Sequence, residues 1–237
     1  MTTVVPATAF PAAPFGVAQH QGTRTVQCDA YAIAGDGSRW AAVVVDGIGD
    51  ENDIARLMRF IADHIATRIL EESPAAAIRA TRIACDAELN REDGVVVAFL
   101  ATGDTLSTAW AGDSALYWLD EHGTLETATR EHTVAQQARD RGRVPGPGDE
   151  HVVLRTVGWG DIEETELPID RVHRVLLCSD GVHKVLDEGD IAWILRQGDP
   201  ATAAAALVSA AVSCAAENGR PADNATAIVW DPVRSGE

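Results

Sequence analysis

At 237 residues, 46 % hydrophobic and 5 % aromatic, the chain can bury a large core as one large domain or two small ones, and it lacks the aromatic platforms of single-stranded nucleic-acid binders. Nineteen Lys and Arg against 36 Asp and Glu give a formal charge of -17, a surface that repels nucleic-acid backbones and acidic membranes. Such a polyanion can act on a phosphorylated substrate only where cations neutralise the site locally.

Residues 1–20, rich in Ala and Pro without periodicity, predict a loose N-terminal arm, and residues 21–237 read as one domain. The start carries no basic residue, and no apolar run approaches the roughly 20 residues of a membrane span. Cys28, Cys85, Cys178 and Cys214 form no C-x-x-C pair, so the expectation is a cytoplasmic protein with buried, reduced thiols.

Three hairpins are predicted: QCDAYAIA with RWAAVVVD around Gly35-Asp36-Gly37-Ser38, VVVAFLAT with TLSTAWAG around Gly103-Asp104, and ALYWLD with TLETAT around Gly123. Between the first two, Ile54, Leu57, Met58, Ile61, Ile65 and Ile69 recur at helical spacing. Ser73-Pro74 and Asp199-Pro200 each place a capping side chain ahead of Pro at the first helical position, and DEGDIAWILRQG reads as a shorter helix. EHTVAQQARDRGRVPGPGDE, 131–150, begins as a polar helix and ends in a Pro/Gly-rich loop, the pattern of a flap. HVVLRTVG, IEETELPI, RVLLCSD and NATAIVWD are predicted as the remaining strands. The order fits the α+β class, as a four-layer αββα sandwich of two antiparallel sheets flanked by helix pairs.

Four acidic positions share one pattern. Asp46 follows AAVVV, Asp113 follows STAWAG, Asp180 follows RVLLCS, and Asp223 opens the NATAIVW strand. A single strand-end Asp is ordinarily a turn former. If these strand ends converge, however, their charges repel and raise one another's pKa values unless a cation shares them. Hard carboxylate oxygens suit Mg²⁺ or Mn²⁺, there is no clustered His or Cys set for zinc, and Gly47 lets a backbone carbonyl approach an ion. Two such ions can bind phosphate and lower the pKa of a bridging water for in-line attack on phosphorus.

GTRTVQCDAYAI, VVVDGIGD, AWAGDSALYWL, LLCSDGV and DNATAIVW, in this order over about residues 20–232, resemble the bacterial-type metal-dependent protein phosphatases (PPM, the protein phosphatase 2C type). The resemblance implies a serine/threonine phosphatase with two Mn²⁺ or Mg²⁺ ions, and a third, weaker one in some members. Its substrate would be a protein phosphorylated by a cognate kinase, with neither nucleic acid nor membrane as partner. Position by position, it implies that Asp46 bridges both metals, that Gly47 lends its carbonyl, and that Asp180 and Asp223 bind the second metal. It also implies that Asp113 serves the weaker site, that Arg24 holds the substrate phosphate, and that Asp29 stands in or behind the metal shell.

Departures from the family pattern are Cys28 for Glu or Gln, Ile48 where some members carry a general-acid His, Asp50 for Gly, and Ala115 for Arg. They leave a catalytically impaired pseudophosphatase, acting as a phosphoprotein-binding module, as the alternative. The resemblance indicates no oligomeric state. Among the other candidates, His183 reads as a surface residue at a helix start and His132 as structural. Trp110, Trp118, Trp159, Trp193 and Trp230 read as packing residues.

Overall fold

A computed structural model of the chain describes residues 15–89 and 91–232. The described chain runs β1 Phe15–His20, β2 Ala30–Gly35, β3 Arg39–Gly47, α1 Asn52–Arg68, α2 Pro74–Ala84, α3 Asp86–Leu89, β4 Gly94–Thr102, β5 Thr105–Ala111, β6 Ala115–Leu119 and β7 Leu125–Thr127. It continues through α4 Val134–Asp140, β8 Glu163–Pro168, β9 Arg174–Cys178, α5 Asp180–His183, α6 Glu188–Leu195, α7 Pro200–Glu217 and β10 Ala225–Trp230. Two antiparallel sheets of five strands result, ordered β1-β10-β9-β6-β7 and β2-β3-β4-β5-β8.

The continuous apolar run of β3 is explained by burial on both faces. Ala41, Val43 and Val45 pack with Met58, Ile61 and Ile65 of α1, whereas Ala42 and Val44 face the other sheet and meet Phe99, Leu177 and Trp230. On the far side α7 presents Leu207, Val208 and Ala211 to Ala227 and Val229 of β10. The layers are therefore helix, sheet, sheet, helix, as the sequence predicts. With 18 residues and a mean hydropathy of 1.3, α7 is long and apolar enough to cross a membrane by composition; here it packs on β1 and β10.

The start signals hold in detail. Ser73 accepts from the Ala76 N–H and Asp199 from the Thr202 N–H, each satisfying a first-turn donor. Thr133 caps α4 in the same way, and the polar stretch that follows winds into that helix before the loop.

Other expectations are corrected. Of the predicted arm, residues 1–14 lie outside the described residues, but Phe15–His20 is a strand paired along β10, with the Phe15 ring stacked against both Phe99 and Trp230. HVVLRTVG is not a strand: apart from one bridge between Thr133 and Val153, its backbone turns to other partners. Val157 N–H donates to Gly94 O, and the Thr156 and Val157 carbonyls accept from Arg82. Trp110 and Trp230 are buried, but Trp159 and Trp193 are 74 % and 63 % exposed, so these two are not packing residues. Cys28, Cys85 and Cys178 are buried free thiols, and Cys214 is half-buried.

Candidate metal and phosphate site

Strand register brings the acidic residues to one end of the sandwich. Ala30 pairs with Val45, so the next position out sets Asp29 beside Asp46. Cys178 pairs with both Ala115 and Ala227; the residues just beyond those pairs are Asp180 after β9, Asp113 before β6 and Asp223 before β10. The fourfold strand-end pattern is thus a consequence of antiparallel pairing within each sheet and of the two sheets stacking.

Two glycines fit this end tightly. A Cβ on Gly47 would stand 2.6 Å from Ile54 Cγ2 and 3.0 Å from the Cys28 carbonyl oxygen, so only glycine lets β3 run under α1 here. Gly112 turns β5 toward Asp113 at φ 109°, where a Cβ would meet Val95 Cγ1 at 2.1 Å.

The carboxylates repel one another as the pattern predicts. Burial pushes Asp46 well above the usual carboxylate range, and Asp29, Asp180, Asp113 and Asp223 push it further. Asp29 is pushed up to about 7 by burial, although hydrogen bonds from Thr226 and Ser179 oppose the rise. Asp180 keeps 21 % of its side-chain surface yet is crowded enough for desolvation to raise it, with Asp113 adding and Lys184 opposing.

Each peripheral carboxylate has an internal partner. Arg24 Nη2 donates to Asp223 Oδ2 at 2.7 Å, with both side chains about two-fifths exposed at 41 % and 40 %. Asp29 Oδ2 accepts from Ser179 Oγ at 2.8 Å and Thr226 Oγ1 at 2.6 Å, while its Oδ1 is buried with no hydrogen-bond partner. Lys184 Nζ donates to Asp113 Oδ2 and lies 3.5 Å from Asp180 Oδ2. Among the described residues no three His, Cys, Asp or Glu side chains already surround one point as metal ligands. The donor chemistry nevertheless fits a hard divalent cation: the converging groups are all carboxylates, the cluster lacks enough positive charge to neutralise it, and Asp29 Oδ1 is a buried oxygen left unpaired.

The loop carrying Arg24 is fixed from both sides. Asp50 accepts from the Thr25 N–H at 2.9 Å and the Val26 N–H at 2.7 Å, so the residue that departs from the family glycine ties the Gly47 loop to the Arg24 loop. Asn224 accepts from the Cys28 N–H at 2.7 Å and donates to Gln21 O and Val26 O. Beside these groups opens a cleft of ≈ 330 Å³ lined by Arg24, His151, Lys184, Arg220 and Asp223, among others. Its cations stand against an otherwise acidic surface.

The structure therefore assembles Asp29, Asp46, Gly47, Asp113, Asp180, Asp223 and Arg24 at one end of the sandwich. The expectation of a surface His183 is corrected: its side chain is 3 % exposed and Nε2 lies 2.8 Å from the Asp113 carbonyl oxygen. His132 is structural as read, with Nδ1 accepting from the Gly112 N–H and its ring stacked on Trp110. Lys184, Asn224 and the tethering role of Asp50 are not evident from the motifs. The spacing Asp180 to Lys184, one helical turn, is the signal that points to the lysine.

No protein-family model matches the chain, and no curated protein matches it by sequence. Solved structures do. The catalytic domain of the serine/threonine phosphatase PstP, in complex with two manganese ions, is 23 % identical, with a TM-score of 0.78 over 93 % of this chain and 98 % of that one. Stp1, a serine/threonine phosphatase from Staphylococcus aureus, gives 17 % identity and a TM-score of 0.80 over 93 % and 95 %. PppA, a regulatory component of T6SS in Pseudomonas aeruginosa, gives 28 % and 0.72 over 91 % and 95 %. The chain has the fold of the PPM-type serine/threonine phosphatases.

Proposed function

We propose that the protein is a metal-dependent phosphatase that hydrolyses phosphoserine or phosphothreonine in proteins. The observation that carries this reading is the clustering of five aspartates and Arg24 beside a cleft whose lining combines Asp180 and Asp223 with Arg24, Lys184 and Arg220, in a chain of net charge -17.

Asp46, the Gly47 carbonyl, Asp180 and Asp223 would hold Mn²⁺ or Mg²⁺, with Asp29 behind them. Such ions supply Lewis acidity, lowering the pKa of bound water and neutralising phosphate charge. Ser179 and Thr226 orient Asp29 by donating to its Oδ2, which leaves Oδ1 free to accept. Arg24 is aimed by Asp223, and its planar fork retains donors for two phosphate oxygens. Asp50 and Asn224 keep that guanidinium over the carboxylates by holding the loop beneath it. Ile48, half exposed at 50 %, carries no proton to give the leaving alkoxide, so this position supplies no general acid.

Cys28 stands where the family carries Glu or Gln. Its thiol lies 3.6 Å from the Glu51 carbonyl oxygen and burial raises its pKa, and a soft thiol suits a hard divalent cation poorly. The retention of Asp29, Asp46, Asp113, Asp180 and Asp223 with a tethered Arg24 argues against a binding-only domain. The test is hydrolysis of phosphoserine and phosphothreonine peptides by purified protein in Mn²⁺. Turnover above that of Asp180→Asn is expected, and turnover equal to it would overturn the proposal.

A further inference from the structure

We propose that Lys184 is a built-in cation that closes the Asp113–Asp180 pair to metal, so that removing its ammonium opens an additional divalent-cation site there. Asp180 opens α5 and Lys184 follows one turn later, which brings the ammonium back over the carboxylate. From there Nζ reaches three chain segments. It donates to Asp113 Oδ2 on the β5–β6 turn and to the Glu150 carbonyl oxygen at the end of the flap at 2.8 Å, and it stands 3.5 Å from Asp180 Oδ2. Two carboxylates and a backbone carbonyl around one positive centre make an oxygen set that suits a hard divalent ion equally well.

The arrangement is not an ordinary surface bridge. The side chains of Lys184 and Asp113 are 15 % and 6 % exposed, so their attraction is little screened and neither charge can be left alone cheaply. The backbone beneath Asp113 is fixed as well, its carbonyl oxygen lying 2.8 Å from Nε2 of the buried His183. A divalent ion entering between Asp113 and Asp180 would have to displace the ammonium or stand beside it against repulsion. Because Glu150 also pairs with Arg139 of α4, the same lysine anchors the end of the flap to the acidic cluster.

The inference rests on the reading of the other aspartates as a metal centre, and its test separates the two. Wild-type protein, Lys184→Met, Lys184→Arg and the double variant Lys184→Met/Asp113→Asn are dialysed against excess Mn²⁺, and bound metal is counted per chain. Lys184→Met should hold one ion more than wild type, whereas Lys184→Arg and the double variant should match wild type. In EDTA, Lys184→Met should melt lower than wild type by about 5 °C, because the buried Asp113 and the partly buried Asp180 lose their counter-charge, and Mn²⁺ should recover the difference. Equal metal content in wild type and Lys184→Met would overturn the inference while leaving the phosphatase reading intact. A wild type that binds no Mn²⁺ would overturn the phosphatase reading, and the inference would then be decided by whether Lys184→Met gains an ion.

Discussion

Replacing Asn224 with alanine tests the reading that Arg24 is positioned by the loop beneath it. Asn224 is 5 % exposed and makes three hydrogen bonds to that loop: it accepts from the Cys28 N–H at 2.7 Å and donates to Gln21 O at 2.8 Å and Val26 O at 3.1 Å. Cys28 is 1 % exposed, so its N–H would be left buried without an acceptor, at a cost of about 1–3 kcal/mol. Gln21 is exposed and water can take over its carbonyl; Val26 is half-buried and recovers less. A total of about 2–3 kcal/mol follows, or a fall in Tm of about 4–12 °C for a chain of this size. Differential scanning fluorimetry in Mn²⁺ reads the stability. Kinetics with a phosphopeptide should show KM raised more than kcat is lowered, because the loop delivers Arg24 to the bound phosphate and not to the bond being broken. A Tm within about 1 °C of wild type with unchanged KM would refute the clamp.

Three further outcomes are expected. Arg24→Lys should raise KM for phosphopeptide by about tenfold with less effect on kcat, since a point charge replaces a planar fork; unchanged KM would remove Arg24 from phosphate binding. Gly47→Ala should lower Tm and weaken Mn²⁺ binding in calorimetry, with a cost of about 1–3 kcal/mol, because the added methyl collides with Ile54, Met58 and the Cys28 carbonyl. In EDTA the protein should lose stability as pH rises from about 4 to about 7. Asp29 is pushed up to about 7 and Asp46 and Asp180 are raised in the same direction, so the folded state binds more protons than the unfolded state across that window. Saturating Mn²⁺ should flatten or reverse the slope, and a metal-free Tm that climbs over the same interval would contradict the clustering of these carboxylates.

Hairpins and helices were legible because their signals are local. Asp36 accepts from the Ser38 and Arg39 N–H groups in the first turn, and Ser73 and Asp199 cap the helices they announce. Two kinds of feature were not legible. HVVLRTVG alternates like a strand, but its carbonyls are taken by Arg82, 74 or more residues away in sequence, a tertiary choice that no local pattern encodes. Phe15–His20 becomes a strand because β10 offers it an edge and the aromatic cluster of Phe99 and Trp230 receives Phe15, again a long-range cause. At the site, the strand-end aspartates announced themselves by repetition. Asp50 and Asn224 act through backbone groups of a loop some 25 and 200 residues distant, and their chemistry is visible only once that loop is in place.

The central claim is that Asp46, at the C-terminal end of β3, holds a catalytic ion. Hydrolysis of p-nitrophenyl phosphate by wild type and by Asp46→Asn, across a Mn²⁺ titration with EDTA as the zero point, tests it most directly. The account predicts saturable, EDTA-sensitive activity in the wild type and a loss of at least about 100-fold in the variant at every Mn²⁺ concentration. Activity that survives in EDTA, or that Asp46→Asn retains, would contradict it.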